Sequence, residues 1–152
     1  MAGVEYKVTI DDAAMQRDMK RLYGKLQDMT PVWETIGEGL QGSWEQRFAD
    51  EVTPSGAAWA ALSPVTVAWR EARGFVPIKK LRMRGHLVGS INYRVAPTRL
   101  TIGSPLPYAA IQNFGGAAGR GLKVTIPARE YIGLSEADRQ MIGETLTDWL
   151  AE

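Results

Sequence analysis

Apolar and polar positions change period several times along the chain, and each change predicts an element. Val4, Tyr6, Val8 and Ile10 alternate with Glu5, Lys7 and Thr9, a period of two that predicts a first strand. Asp11 and Asp12 then offer an N-cap and early negative charge for a helix. Ala14, Met15, Met19, Leu22, Leu26 and Met29 recur at three- and four-residue steps, giving that helix one apolar face. Thr30-Pro31 predicts a helix restart, with a capping hydroxyl and proline at the first helical position. Trp33, Ile36, Leu40, Trp44 and Phe48 line the face of this second helix. Gly37, Gly39 and Gly42 interrupt it, each costing about 1 kcal/mol relative to alanine. Such a cluster implies close packing against another backbone or a bend, and the sequence does not choose between them.

Thr53-Pro54-Ser55-Gly56 is a turn. Ser63-Pro64 opens a short helix that ends near Gly74, and Val76-Pro77 marks a connection. A basic helix is expected from Lys79 to Val88. Ile91, Tyr93 and Val95 alternate, Pro97-Thr98 can turn, and Leu100 and Ile102 alternate on the return, which predicts a hairpin. Tyr108 to Phe114 can make two helical turns. The run Gly115 to Gly121 reads as a flexible loop, since small residues leave the backbone many states. Val124 and Ile126 suggest a strand before Pro127. Ser135 with Asp138 is a variant capping box for a last helix, Glu136 to Leu150, with Met141, Ile142, Leu146, Trp149 and Leu150 on its apolar side. The expected class is α+β: N-terminal helices, a small, mostly antiparallel sheet with a β-hairpin, and a C-terminal helix. The 152 residues fit one domain, 1–152, with 1–52 its mainly helical N-terminal part.

Composition removes several kinds of chemistry. The chain has no cysteine, so thiolate catalysis, disulfides and cysteine metal sites are excluded. No stretch approaches the roughly 20 apolar residues of a membrane helix, and no basic segment followed by an apolar run marks a signal peptide, so no membrane partner is expected. The net charge of +1 conceals an asymmetry. Residues 1–52 carry 6 basic and 10 acidic side chains, residues 53–130 carry 11 and 2, and residues 131–152 carry 1 and 5. The basic middle can be compensated within the fold, meet the acidic face of a neighbouring copy, or face nucleic acid. Arg70, Arg73, Lys79, Lys80, Arg82 and Arg84 are the candidate subunit-interface or DNA-facing residues. Phosphate contacts from such residues give salt-dependent, sequence-independent binding. Tryptophan and tyrosine are not interleaved there in a pattern that suggests base stacking.

Catalytic and cofactor signals are weak. His86 is the one histidine, and Ser90 lies four residues on, but no orienting carboxylate is evident and Ser90 lacks the Gly-x-Ser-x-Gly elbow. Gly116 and Gly121 have the first spacing of a P-loop, but Leu122-Lys123-Val124 displaces the lysine and omits the magnesium-binding hydroxyl. No catalytic residue, metal site or cofactor is expected. Of the five tryptophans, Trp33, Trp44, Trp69 and Trp149 sit at helical spacing that predicts core packing. Trp59, in a Pro/Gly/Ala-rich loop, is expected to plug a groove in its own subunit or a neighbour's.

Four segments carry a resemblance. Arg47-Phe48, then Pro54-x-Gly56-x-x-Trp59-x-x-Leu62 and Ser63-Pro64-x-Thr66, resembles the opening signature of the phage virion morphogenesis family, which includes the tail completion proteins of Mu-like and related tailed phages. Arg84-Gly85-x-Leu87-x-x-Ser90-Ile91 resembles its Gly-x-Leu-x-x-Ser-Ile step. Tyr108-Ala109-x-Ile111-x-x-Phe114-Gly115 is similar to its Tyr-Ala-x-Ile-x-x-Phe-Gly motif, with Asn113 where the family often has histidine. Ile126-Pro127-Ala128-Arg129, then Tyr131-Ile132-Gly133-Leu134-Ser135, resembles the closing run, with Tyr131 replacing the usual phenylalanine and Ile132 the usual leucine.

The resemblance implies a structural, non-enzymatic role in phage virion assembly. The expected place is tail completion, tail termination or the neck at the head–tail junction. The expected form is a homo-oligomeric ring, a hexamer being one closure. Its expected partners are other copies, tail and neck or connector proteins, and packaged DNA in non-specific contact. It would be made in the host cytoplasm and end in the virion. The alternatives are a capsid morphogenesis factor and a non-specific DNA-binding protein using residues 70–84.

Overall fold

A computed structural model gives the protein's structure and describes residues 12–152. The strand expected over Val4–Ile10, and Asp11 of the expected cap, lie outside the described residues. In chain order the elements are α1 (Ala13–Gln27), α2 (Thr30–Asp50), α3 (Pro64–Glu71), α4 (His86–Gly89), β1 (Asn92–Ala96), β2 (Arg99–Gly103), α5 (Ala109–Phe114), β3 (Gly116–Ala118), β4 (Val124–Ile126) and α6 (Glu136–Ala151). The class is α+β, with the strands in two separate antiparallel pairs, β1–β2 and β3–β4.

The central helix is α2. Val32, Ile36 and Leu40 are buried near its start, against Leu100 and Ile102 of β2 and Met141, Ile142, Leu146 and Trp149 of α6. Trp44 and Phe48, further along, join Trp59, Leu87, Ile91, Ala109 and Tyr131 in a second cluster. Fully burying each large apolar side chain contributes about 1.5–3 kcal/mol, so the two clusters are the main source of stability. Two of the three α2 glycines are sites of close approach to side chains. A Cβ on Gly37 would lie 2.5 Å from the Tyr93 ring, and one on Gly39 2.8 Å from the end of Met141. Gly42 faces open space.

The hairpin forms as its alternation predicts, with Tyr93 opposite Ile102 and Val95 opposite Leu100 across the Pro97-Thr98 turn. The capping box also forms: the Ser135 hydroxyl accepts from the Asp138 N–H at 3.1 Å, and the Asp138 carboxylate accepts from the Ser135 N–H at 2.8 Å. Ser63 caps α3 by accepting from the Thr66 N–H at 3.2 Å.

Several local expectations are corrected. Asp12 stands at the α1 cap position, but its carboxylate accepts from the Gln16 side chain at 2.7 Å and caps nothing. Thr30 is the first residue of α2 and not its cap, so Pro31 is the second residue, and the Thr30 N–H is satisfied by Asp28 at 3.0 Å. The basic helix expected from Lys79 to Val88 shrinks to the single turn of α4. Side chains take its backbone groups: Glu51 accepts from the Lys80 N–H at 2.6 Å, and Arg70 donates to the Lys79 carbonyl at 2.7 Å. Leu81 and Gly85 then adopt positive φ, which ends any helical path. The expected loop from Gly115 to Gly121 contains β3, paired with β4 from Gly116↔Ile126 to Ala118↔Val124.

Candidate functional site

Side chain–backbone hydrogen bonds tie the first and third motif segments to the last, and the second joins them through Leu87 and Ile91 in the shared core. In the first, Gly56 takes φ +85 to close the turn, and Trp59 is buried. Trp59 therefore fills its own subunit's core: its indole N–H donates to the Glu130 carbonyl at 2.9 Å and its ring meets Phe48 edge-on at 5.3 Å. Arg129, from the last segment, reaches back and donates to the carbonyls of Ala60 at 2.8 Å and Ala61 at 2.7 Å. Burial, and then the nearby charge of Arg70, lower its pKa from the usual arginine value.

The third segment is tied to the last in the same manner. Asn113 is buried, and its side-chain oxygen accepts from the N–H groups of both Tyr131 and Ile132 at 2.9 Å. The Tyr131 hydroxyl donates to the Ala109 carbonyl at 3.0 Å, and burial pushes its pKa up to about 12. Gly115 adopts φ +72, and a Cβ there would lie 2.7 Å from the Ala128 nitrogen. Only glycine suits both the conformation and the approach. Pro54 is half-buried beside Gly133.

What these ties leave open is a groove of about 590 Å³. Its apolar walls are Leu62, Leu81, Leu87, Tyr108, Ile126 and Pro127, and Arg70, Arg84, Arg129 and His86 also line it. Leu87 reaches into the core behind it, while Gly85, with φ +78, opens the α4 turn. Tyr108 is 41 % exposed and Phe114, another motif aromatic, 71 % exposed. These two rings are not holding the core together.

The six basic candidates do not form one stripe. Arg70 and Arg84 line the groove. Lys80 pairs with Glu51 at 3.1 Å, and Arg82 lines a separate depression with Glu45. Lys79 is exposed. Arg73 lies 4.3 Å over the Trp69 ring, Trp69 stacks on Phe75 at 6.0 Å, and Arg84 lies 5.4 Å over Phe75. Trp69 is therefore a 43 % exposed member of an arginine–aromatic ladder rather than a core residue. Aromatics do interleave with the basic residues here, contrary to the linear pattern. The turn at Gly74 (φ +74) folds Phe75 back onto Trp69.

Sequence reasoning also missed Arg47, Asp138 and Asn113 as buried polar residues. The one available signal was their place inside apolar or capping patterns. As for Ser90, its hydroxyl donates to the Leu87 carbonyl at 2.6 Å and lies 2.7 Å from the Ser104 hydroxyl. Among the described residues, no group of three or more His, Asp or Glu side chains could hold a metal ion, and no helix is long and apolar enough to cross a membrane.

Side chain–backbone hydrogen bonds thus stitch a frame beside an open groove. The chain belongs to the phage virion morphogenesis family, whose model matches residues 10–151. It is 31 % identical over 146 residues to the putative capsid assembly protein G of Escherichia phage Mu, covering 95 % of this chain and 93 % of that one. It is 39 % identical over 79 residues to the Mu-like prophage FluMu G protein 2 of Haemophilus influenzae, covering 47 % of this chain and 57 % of that one. No solved structure matches.

Proposed function

We propose that this protein is a structural component that completes the phage tail or joins it to the head, acting as a closed ring of copies. The observation that carries the reading is how the motif residues are used. Trp59, Arg129, Asn113 and Tyr131 donate to or accept from backbone groups, and so hold a frame. Tyr108, Phe114 and the arginine-lined groove face outward, where another chain can meet them. Exposed aromatics and arginines are the side chains that dominate protein–protein recognition. Heterologous contacts between identical subunits close into rings when the rotation closes, and a hexamer is the closure proposed here. The partners are other copies and neighbouring tail or neck proteins, and the destination is the virion.

Electron microscopy of particles from a phage lacking this protein tests the reading. Filled heads beside separate tails are expected, and overlong tails would add length termination. Infectious, intact virions would overturn a structural role.

Two other readings each have one observation behind them. The phage Mu relative, a putative capsid assembly protein, favours capsid morphogenesis, for which missing or malformed heads would be the outcome. The Arg73–Trp69–Phe75–Arg84 ladder favours non-specific DNA contact, for which retention on DNA that weakens steeply with salt would be the outcome.

A further inference from the structure

We infer that α1 is an arm by which each copy grips the next, seating its apolar stripe in the neighbour's arginine-lined groove. The inference rests on the ring of copies proposed above and names the contact that would close it.

The first support is the state of α1. It has no buried residue, and Met15, Met19, Tyr23 and Leu26 are 61 %, 63 %, 66 % and 48 % exposed. They fall three or four residues apart and so share one face, with Leu22 beside them. A 15-residue helix is marginal in water without a packed face. Methionine is suited to adapting to a partner's surface. The helix is anchored at its C-terminal end, where Lys25 donates to the Trp149 carbonyl and lies 5.3 Å over the Trp149 ring. The Met29 N–H, just beyond, donates to the Pro97 carbonyl at 2.8 Å.

Charge selects the occupant. Asp12 heads the apolar stripe by the same spacing, and Asp18 flanks it beside Met15 and Leu22; Arg17 and Arg21 fall on the far side, Lys20 stands beside Tyr23, and Lys25 is held on Trp149. The face that would dock is apolar with carboxylates at its margin. The groove is apolar with Arg70, Arg84 and Arg129 along it. The stripe from Met15 to Leu26 is about 16 Å long at 1.5 Å per residue. A groove of about 590 Å³ is of the size that takes a ligand or a few side chains.

Position makes the contact intermolecular. The α1 anchor lies with the cluster at the start of α2, where Trp149 packs. The groove includes Leu81 and Leu87 of the cluster at its other end. From Met29, beside the anchor, to Trp44 and Phe48 of that second cluster, α2 spans about 22–28 Å. An arm at one end and its receptor at the other define a head-to-tail contact.

Introduced thiols report this contact cleanly because the chain has no cysteine. Full-length Met19→Cys mixed with full-length Met83→Cys, in the groove wall, should give a disulfide-linked dimer on mild oxidation. Neither variant alone should give one. Met15→Ser/Met19→Ser/Leu26→Ser should sediment as a monomer while keeping the wild type's near-UV circular dichroism. Arg70→Glu/Arg84→Glu should weaken assembly, and Asp18→Arg should restore part of it. A triple variant that still assembles, or a Met19→Cys variant that links to itself, would overturn arm docking and leave the ring proposal standing. A wild-type chain that stays monomeric at every concentration would overturn both.

Discussion

Arg47 of α2 and Asp138 of α6, 91 residues apart in sequence, form a buried ion pair. Their side chains are 6 % and 4 % exposed. Arg47 also donates to the carbonyls of Tyr131 at 3.0 Å and Gly133 at 2.7 Å, so one guanidinium fixes α2, the closing motif and α6 together. Removing one partner strands the other charge. Arg47→Met should lower unfolding free energy by about 3–5 kcal/mol in urea titration. Arg47→Met/Asp138→Leu should recover part of that, the residual loss reflecting the broken capping box.

Acid should expose the same pair. Burial pushes the Asp138 carboxyl pKa up, but hydrogen bonds with Ser43 and Ser135 and the charge of Arg47 outweigh it and hold the pKa below the ordinary aspartate value. The folded form therefore binds that proton more weakly than the unfolded chain, whose aspartates titrate near about 3.9. The resulting stability is present above pH about 4 and is lost as pH falls through the folded pKa. Tm measured from neutral pH downward should fall in that window. Asp138→Asn should start lower and show a shallower fall.

Two glycines of one helix should respond oppositely to the same change. Gly37→Ala drives a methyl into the Tyr93 ring and should cost about 1–3 kcal/mol. Gly42→Ala meets open space and should stabilise by up to about 1 kcal/mol, from helix propensity alone. Thermal melts of the two single variants check both signs.

Asn113→Ala removes the acceptor shared by the Tyr131 and Ile132 N–H groups. Leaving a buried donor unsatisfied costs about 1–3 kcal/mol each. Hydrogen exchange at those two amides should accelerate beyond the change in global stability. An unchanged exchange pattern would mean another acceptor takes over.

Lys80 should behave unlike its basic neighbours. Lys80→Glu places a second carboxylate against Glu51 and should lower Tm. Arg73→Glu and Arg84→Glu should leave Tm close to wild type while changing whatever the ladder and groove bind, and each should reduce the salt slope of any DNA retention.

Local periodicity determined much of the fold. The alternation on either side of Pro97-Thr98 gave both strands and their register, because a slip of one residue would turn every apolar side chain outward. The recurrences in α2 and α6 marked the buried faces, and Ser135 with Asp138 marked the start of α6. The motif segments likewise marked which stretches matter. Tertiary structure decided the rest. Lys79 to Gly85 is not helical because Glu51, 29 residues back, takes the Lys80 N–H and Arg70, nine residues back, takes the Lys79 carbonyl. The glycine run pairs as β3 because β4 lies alongside, although small residues carry no pattern of their own. The apolar face of α1 was legible, but its exposure was not, since periodicity reports that a face exists and not whether the chain itself covers it. A sequence pattern encodes neighbours within a turn or a strand pair. Bonds such as Arg47 to Asp138 depend on which faces pack after the whole chain has folded.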